Sequence, residues 1–115
     1  MLVVDDDQSL RMLCRINLEL DGYHVLEAGS VAQARAVIAH EEIDAMLLDL
    51  HLGDGDGRDL LRELGDDCPP VALFTGSEAI GPELTSLADA VLSKPFEIGL
   101  LSSTVGRLVG VDSRA

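Results

Sequence analysis

"AMLLDLHLGDGDGRDLL", residues 45–61, holds the conflict that decides the fold. Ala45-Met46-Leu47-Leu48 is an unbroken apolar run that then meets Asp49 and Leu50. Such a run reads as a strand buried on both faces of a sheet, because a half-exposed strand would alternate with polar residues. A carboxylate attached to it is costly unless something compensates the charge. The conflict disappears if the strand ends at Leu48 and Asp49 stands at the mouth of the sheet, within reach of water, a metal or a ligand.

The flanking sequence supports that reading. Residues 53–57 read as a loop, and Leu60, Leu61 and Leu64 mark a helix. Pro69-Pro70 precedes a fourth strand, Val71-Ala72-Leu73-Phe74, and Ala90-Val91-Leu92 forms a fifth. Leu101, Val105, Leu108 and Val109 share one face of a last helix. Toward the start, Leu2-Val3-Val4 is the first strand. A helix from Gln8 to Leu20 follows, with Leu10, Leu13, Cys14 and Leu20 as its apolar stripe, Asn17 interrupting it and Asp21-Gly22 ending it. Residues 24–28 form the second strand. Ser30 caps a second helix with Val31, Ala34 and Ile38 on one face. Strand and helix alternate five times, which predicts an α/β fold: a doubly wound five-stranded parallel sheet with helices on both faces. Residues 1–110 form one domain and residues 111–115, "VDSRA", a polar tail.

Composition narrows the function. The 115 residues are 47% hydrophobic but only 3% aromatic, so Leu, Val and Ala must build the core. Twenty-one acids against 8 bases give a net charge of −13, which argues against a grip on nucleic acid and favours a cation as partner. No apolar run has the length of a membrane span and no signal-peptide pattern opens the chain, so a soluble, cytoplasmic protein is expected. Cys14 and Cys68 lack metal or redox spacing and read as reduced packing residues, and His24, His40 and His51 lack zinc-ligand spacing. "DGDG" fails as a calcium loop: counted from Asp54, the sixth residue is Asp59 and the twelfth is Gly65. No GxxxxGK[ST] phosphate loop occurs.

Ligands of open parallel sheets bind outside the carboxyl ends of the strands. After Val4 come Asp5, Asp6 and Asp7; after Leu48, Asp49; after Phe74, Thr75; after Leu92, Ser93 and Lys94. Asp7 reads best as a helix cap. The other carboxylates repel one another, which strains the site without a cation, and a hard divalent ion such as magnesium relieves the repulsion. Lys94 and Thr75 suit phosphoryl oxygens, and an aspartate can be a nucleophile that forms an aspartyl phosphate. Taken singly, each residue has an ordinary explanation as a cap, a turn residue or a surface lysine. Jointly these explanations need four coincidences at one sheet edge.

"LVVDDD", "MLLDLHLGDGDG", "FTG" and "SKPF" in this order resemble the receiver domain of bacterial two-component response regulators, over nearly the whole chain. The resemblance implies a flavodoxin-like strand order 2-1-3-4-5. It implies Asp49 as phosphoacceptor, Mg2+ held by Asp5, Asp6, Asp49 and the backbone carbonyl of His51, and Thr75 and Lys94 as phosphoryl contacts. Pro95 would follow a cis peptide bond. The donor would be a phosphohistidine on a sensor histidine kinase or histidine phosphotransfer protein, and the response would control an output domain or partner protein. Such a domain is not an enzyme toward other substrates; it catalyses only its own phosphorylation and dephosphorylation. The alternative is a degenerate receiver that docks a partner without phosphorylation. A magnesium-dependent phosphohydrolase would need a substrate-binding insert that 115 residues do not accommodate.

Four features depart from the family pattern. Gly53 stands where proline is usual, which predicts a looser loop. Val91 stands where a switch aromatic is usual, and Gly76 leaves the approach beside Thr75 open. Only 19 positions separate Thr75 from Lys94, so the fourth helix is expected to be short or irregular. Output is then expected to pass through the glycine-bearing loops at 53–57 or 76–82.

Overall fold

In the computed structural model, which describes residues 1–76, 88–94 and 96–110, the apolar runs become the centre of a sheet. Strands β1 (Leu2–Val4), β2 (Leu26–Ala28), β3 (Met46–Asp49), β6 (Val71–Thr75) and β7 (Ala90–Ser93) pair in parallel in the order β2-β1-β3-β6-β7. Counted as sheet strands, this is the expected 2-1-3-4-5. Successive residues of the central strands face opposite sides of the sheet. Leu2, Val4, Met46, Leu48, Val71 and Leu73 belong to one core cluster, with Val31 and Ala34 of α2 (Val31–His40) and Leu60 and Leu61 of α3 (Gly57–Leu64). Val3, Leu47, Ala72, Phe74 and Leu92 belong to a second, with Cys14 and Leu18 of α1 (Gln8–Leu20) and Leu101 and Val105 of the last helix (Ile98–Leu108). Two covered faces explain why the strands read as continuous apolar runs.

The helix starts follow local chemistry. Asp7 accepts hydrogen bonds from Ser9 N (3.0 Å) and Leu10 N (3.2 Å), capping α1 as expected. Ser30 Oγ accepts from Gln33 N at 3.1 Å and caps α2. The stripe of α1 differs from the expected one. Cys14 and Leu18 are buried, with Leu10 packed beside them, whereas Leu13 and Leu20 are 46% and 79% exposed. Steps of four residues, 10–14–18, keep one helix face toward the sheet, and positions 13 and 20 fall on its flank.

Element boundaries also shift, and the fourth and fifth strands each run one residue further, to Thr75 and Ser93. The second strand covers Leu26–Ala28 rather than 24–28. The third includes Asp49, so the carboxylate belongs to the strand instead of following it. Where a plain loop was expected, β4 (His51–Leu52) and β5 (Gly55–Asp56) form a small antiparallel hairpin. The expected irregular fourth helix, the loop at 77–82, the peptide bond at Pro95 and the tail at 111–115 lie outside the described residues.

Candidate functional site

Asp5, Asp49 and Lys94 each stand two positions beyond a residue of the α1-side core, namely Val3, Leu47 and Leu92. Strand periodicity therefore carries all three to the same side of the sheet at its carboxyl edge. Lys94 Nζ lies 2.9 Å from Asp5 Oδ2 and 3.1 Å from Asp49 Oδ2, so one ammonium straddles two buried carboxylates. It also sits 5.7 Å from the ring centroid of Phe74, which stacks on Phe96 at 5.0 Å. The remaining carboxylate oxygens have donors: Asp7 N to Asp5 Oδ1 at 2.9 Å, and His51 N to Asp49 Oδ1 at 3.1 Å. This is how the apolar run tolerates its acid: Asp49 gains a lysine and a backbone N–H without leaving the strand.

The expected repulsion between Asp5 and Asp49 is present, and Lys94 offsets part of it by pairing with both carboxylates. Burial still pushes the Asp49 carboxyl up; the His51 N–H and Lys94 oppose this, and the Asp5 charge adds to it. Burial pulls the Lys94 ammonium down, but its hydrogen bonds and charge pairing with Asp5 and Asp49 outweigh that and raise it. Beneath the site, burial pushes the Cys14 thiol up to about 12, with Asp5 adding and Lys94 opposing. Cys14 is thus a packing group rather than a nucleophile near neutral pH.

One carboxylate oxygen from each of Asp5, Asp6 and Asp49 lies within 4.8 Å of the others, and Asp6 is exposed. Three hard oxygen donors with an open side suit magnesium, which keeps several waters and takes few protein ligands. Thr75 is buried at the end of β6, one position beyond Phe74, the residue in register with Asp49. Its carbonyl accepts from Lys94 N at 2.7 Å, tying the two strand ends together. Among the described residues, its hydroxyl is not hydrogen-bonded to Asp49 or Lys94. The structure thus joins Asp5, Asp6, Asp49 and Lys94 directly and holds Thr75 beside Lys94 through the backbone.

Sequence reasoning missed three supports. Arg11 Nη1 donates to the Asp5 carbonyl at 2.7 Å while its Nε reaches Glu27 at 3.3 Å. Asp54 accepts from Val31 N at 2.8 Å and Ala32 N at 3.1 Å, and these bonds hold its carboxyl below the usual range. Gly57 is buried and donates to Leu50 O at 2.9 Å; a Cβ there would come 2.8 Å from the Asp49 carbonyl oxygen and 3.2 Å from Leu48 Cγ. The hairpin is therefore tied at its tip by Asp54 and at its base by His51 and Gly57. A Cβ at Gly53 would meet no atom within 4 Å, and its φ is not positive, so its absent side chain is not a structural requirement. Gly57→Ala should cost about 1–3 kcal/mol, since the added methyl meets backbone that must move. Thermal melting checks this, and Gly53→Ala, measured alongside, should melt like the parent.

A family model for the response regulator receiver domain matches residues 1–106. The KDP operon transcriptional regulatory protein KdpE of Escherichia coli (strain K12) is 36% identical over 106 residues, 89% of this chain and 47% of that protein. Response regulator MprA of Mycobacterium leprae (strain TN) is 32% identical over 114 residues, 94% of this chain and 50% of that protein. The chain thus spans about half the length of the curated relatives it matches. The receiver domain of NtrX from Brucella abortus superposes with a TM-score of 0.86 at 28% identity, covering 95% of this chain and 97% of that one. With a match over almost all of the folded residues, and the same sheet order and strand-end acids, this chain belongs to the response regulator receiver domains of two-component systems.

Proposed function

We propose that the chain accepts a phosphoryl group on Asp49 from a phosphohistidine of a sensor histidine kinase or histidine phosphotransfer protein, with Mg2+ as cofactor. The observation that carries this reading is the carboxylate Asp49 at a sheet edge, joined to Asp5 and Asp6 within 4.8 Å and to Lys94 at 3.1 Å. An Asp49 oxygen attacks phosphorus; a P–O bond forms, the P–N bond to the imidazole breaks, and its electron pair stays on the ring nitrogen, which takes a proton. Asp5, Asp6, Asp49 and the His51 carbonyl would hold the magnesium ion. When bound, that ion supplies charge neutralisation to phosphoryl oxygens. Lys94 gives up a carboxylate contact to meet a phosphoryl oxygen, and Thr75 offers its hydroxyl to another. Beside Lys94, Leu10, Leu13 and Phe96 line an open cleft of about 380 Å³ with Asp7 at its rim. Met12, Leu13, Ile16 and Leu20 expose apolar surface along α1, which suits the flank of a helical donor.

The domain spans residues 1–110 and acts on no other substrate, only on its own phosphorylation state. Its output is an output domain or partner protein, since KdpE by name regulates transcription and is about twice as long as the matched region. Among the described residues no helix is long and apolar enough to cross a membrane, and with the charge of −13 this fits a cytoplasmic domain that binds neither membrane nor nucleic acid directly. The intact acid–lysine cluster favours the acceptor over a docking-only receiver. Incubation with a small phosphodonor and Mg2+ should add one phosphoryl mass, and chelation of the metal should suppress it. No addition under either condition would leave the docking-only reading in its place.

A further inference from the structure

The hairpin after Asp49 has contacts that the phosphoacceptor chemistry does not by itself require. Register pairs His51 with Asp56 and Leu52 with Gly55, so Gly53 and Asp54 form the tip. At that tip the Asp54 carboxylate takes the first two N–H groups of α2, Oδ1 from Val31 N at 2.8 Å and Oδ2 from Ala32 N at 3.1 Å. The local cap, Ser30, takes only Gln33 N. Helix starts leave N–H groups without intrahelical partners, and a carboxylate there is favoured by the helix dipole as well. The two partners are 23 and 22 positions away, so this is a tertiary tie rather than a local cap. Gly55 also lies against Val31, whose Cγ2 would be 3.4 Å from a Cβ at that position. At its other end the hairpin starts with His51, whose N–H donates to Asp49 Oδ1 at 3.1 Å. The chain from Asp49 to Asp54 is therefore held between the strand end and the start of α2.

We propose that Asp54 is a positioning residue for the acceptor site: by anchoring the hairpin tip to α2 it fixes the backbone of His51, whose N–H orients Asp49 and whose carbonyl is the candidate cation ligand. This rests on the functional reading above and names a residue through which that site is set. Removing the anchor frees the hairpin to turn about its glycines, so the His51 peptide no longer holds one orientation. The loss falls on cation affinity and on the protection of the His51 amide. Global stability falls about as it does on loss of the Ser30 cap, because both residues hold N–H groups at the start of α2, so the melting temperature does not separate the two variants and Mg2+ affinity does.

The test compares Asp54→Ala, Asp54→Asn and Ser30→Ala with the parent chain, using Mg2+ titration by calorimetry and amide hydrogen exchange. Asp54→Ala should weaken Mg2+ binding about tenfold, as loss of an outer support around a metal site does, and speed exchange at His51 and Val31. Asp54→Asn, which keeps one acceptor, should fall between. Ser30→Ala removes a cap from the same helix without touching the hairpin, so it should lower the melting temperature yet leave Mg2+ affinity unchanged. Parent-like Mg2+ affinity and His51 exchange in Asp54→Ala would overturn the inference alone. Equal loss in Ser30→Ala would also overturn it, showing that α2 stability is what matters. Failure of the parent to bind Mg2+ at millimolar concentrations would overturn the functional reading and this inference with it.

Discussion

Asp49→Asn should take up no phosphoryl group from a small phosphodonor, while its fold and melting behaviour stay at or above those of the parent. The amide has nearly the shape of the carboxylate, and its oxygen still accepts the His51 N–H that Asp49 Oδ1 accepts at 3.1 Å. What it loses is the nucleophile. The amide NH2 then faces Lys94 as a second donor, and the ammonium, 28% exposed, turns from it toward water while keeping its other partner, Asp5 Oδ2 at 2.9 Å. Burial disfavours the charge on Asp49, so removing that charge takes away an unfavourable contribution. Magnesium affinity should also fall, because the amide contributes no charge to the acid cluster. Intact-protein mass and thermal melting together check both halves. Uptake equal to the parent's would place the acceptor elsewhere, and an unfolded variant would show that the carboxylate is structural.

Lys94→Ala should have the largest effect on stability. It leaves Asp5, which is fully buried, and Asp49, 8% exposed, with like charges and one shared donor missing. Breaking a buried pair by removing one partner typically costs about 3–5 kcal/mol, and the 28% exposure of the lysine side chain argues for the lower end. A loss of roughly 3 kcal/mol in a domain of this size lowers Tm by roughly 10–15 °C. Magnesium should recover more stability in this variant than it adds to the parent, because the cation replaces the missing positive charge. Lys94→Met keeps apolar bulk over Phe74 and separates charge from packing; it should lose nearly as much as Lys94→Ala. A Lys94→Ala melting curve within about 1 kcal/mol of the parent would show that water already screens the two acids.

The sheet and the acids were legible in the sequence for one physical reason. Both faces of the sheet are covered, so its strands appear as unbroken apolar runs, and the first polar residues after each run mark the carboxyl edge. "LVV", "MLL", "VALF" and "VL" thus located Asp5, Asp49, Thr75 and Lys94 without any knowledge of pairing. The α1 stripe was less legible, because Leu13 and Leu20 are as apolar as Leu18 and only the helix phase relative to the sheet decides which is buried. The supports of the site were not legible at all. Asp54 reaches across 23 positions to Val31, and the need for glycine at 57 arises from the Asp49 carbonyl a Cβ would meet at 2.8 Å. Locally, "DGDG" signals flexibility; in the fold Asp54 holds the start of α2, Asp56 caps α3 by accepting from Arg58 N at 2.8 Å, and Gly57 allows close packing. The expected route of output through the 53–57 loop would act on a hairpin whose tip is tied to α2. Val91, 43% exposed on β7, carries no ring to turn inward.

Chemical trapping of the adduct decides whether Asp49 is the acceptor. The protein is incubated with a small phosphodonor and Mg2+, reduced with borohydride, digested and sequenced by mass spectrometry. An aspartyl phosphate is an acyl phosphate, which hydride reduces to the alcohol with loss of phosphate. Homoserine is expected at position 49 and at no other aspartate, dependent on both donor and metal. An unaltered Asp49 beside a phosphorylated serine, threonine or histidine, or homoserine at Asp5 or Asp6 instead, would contradict the assignment.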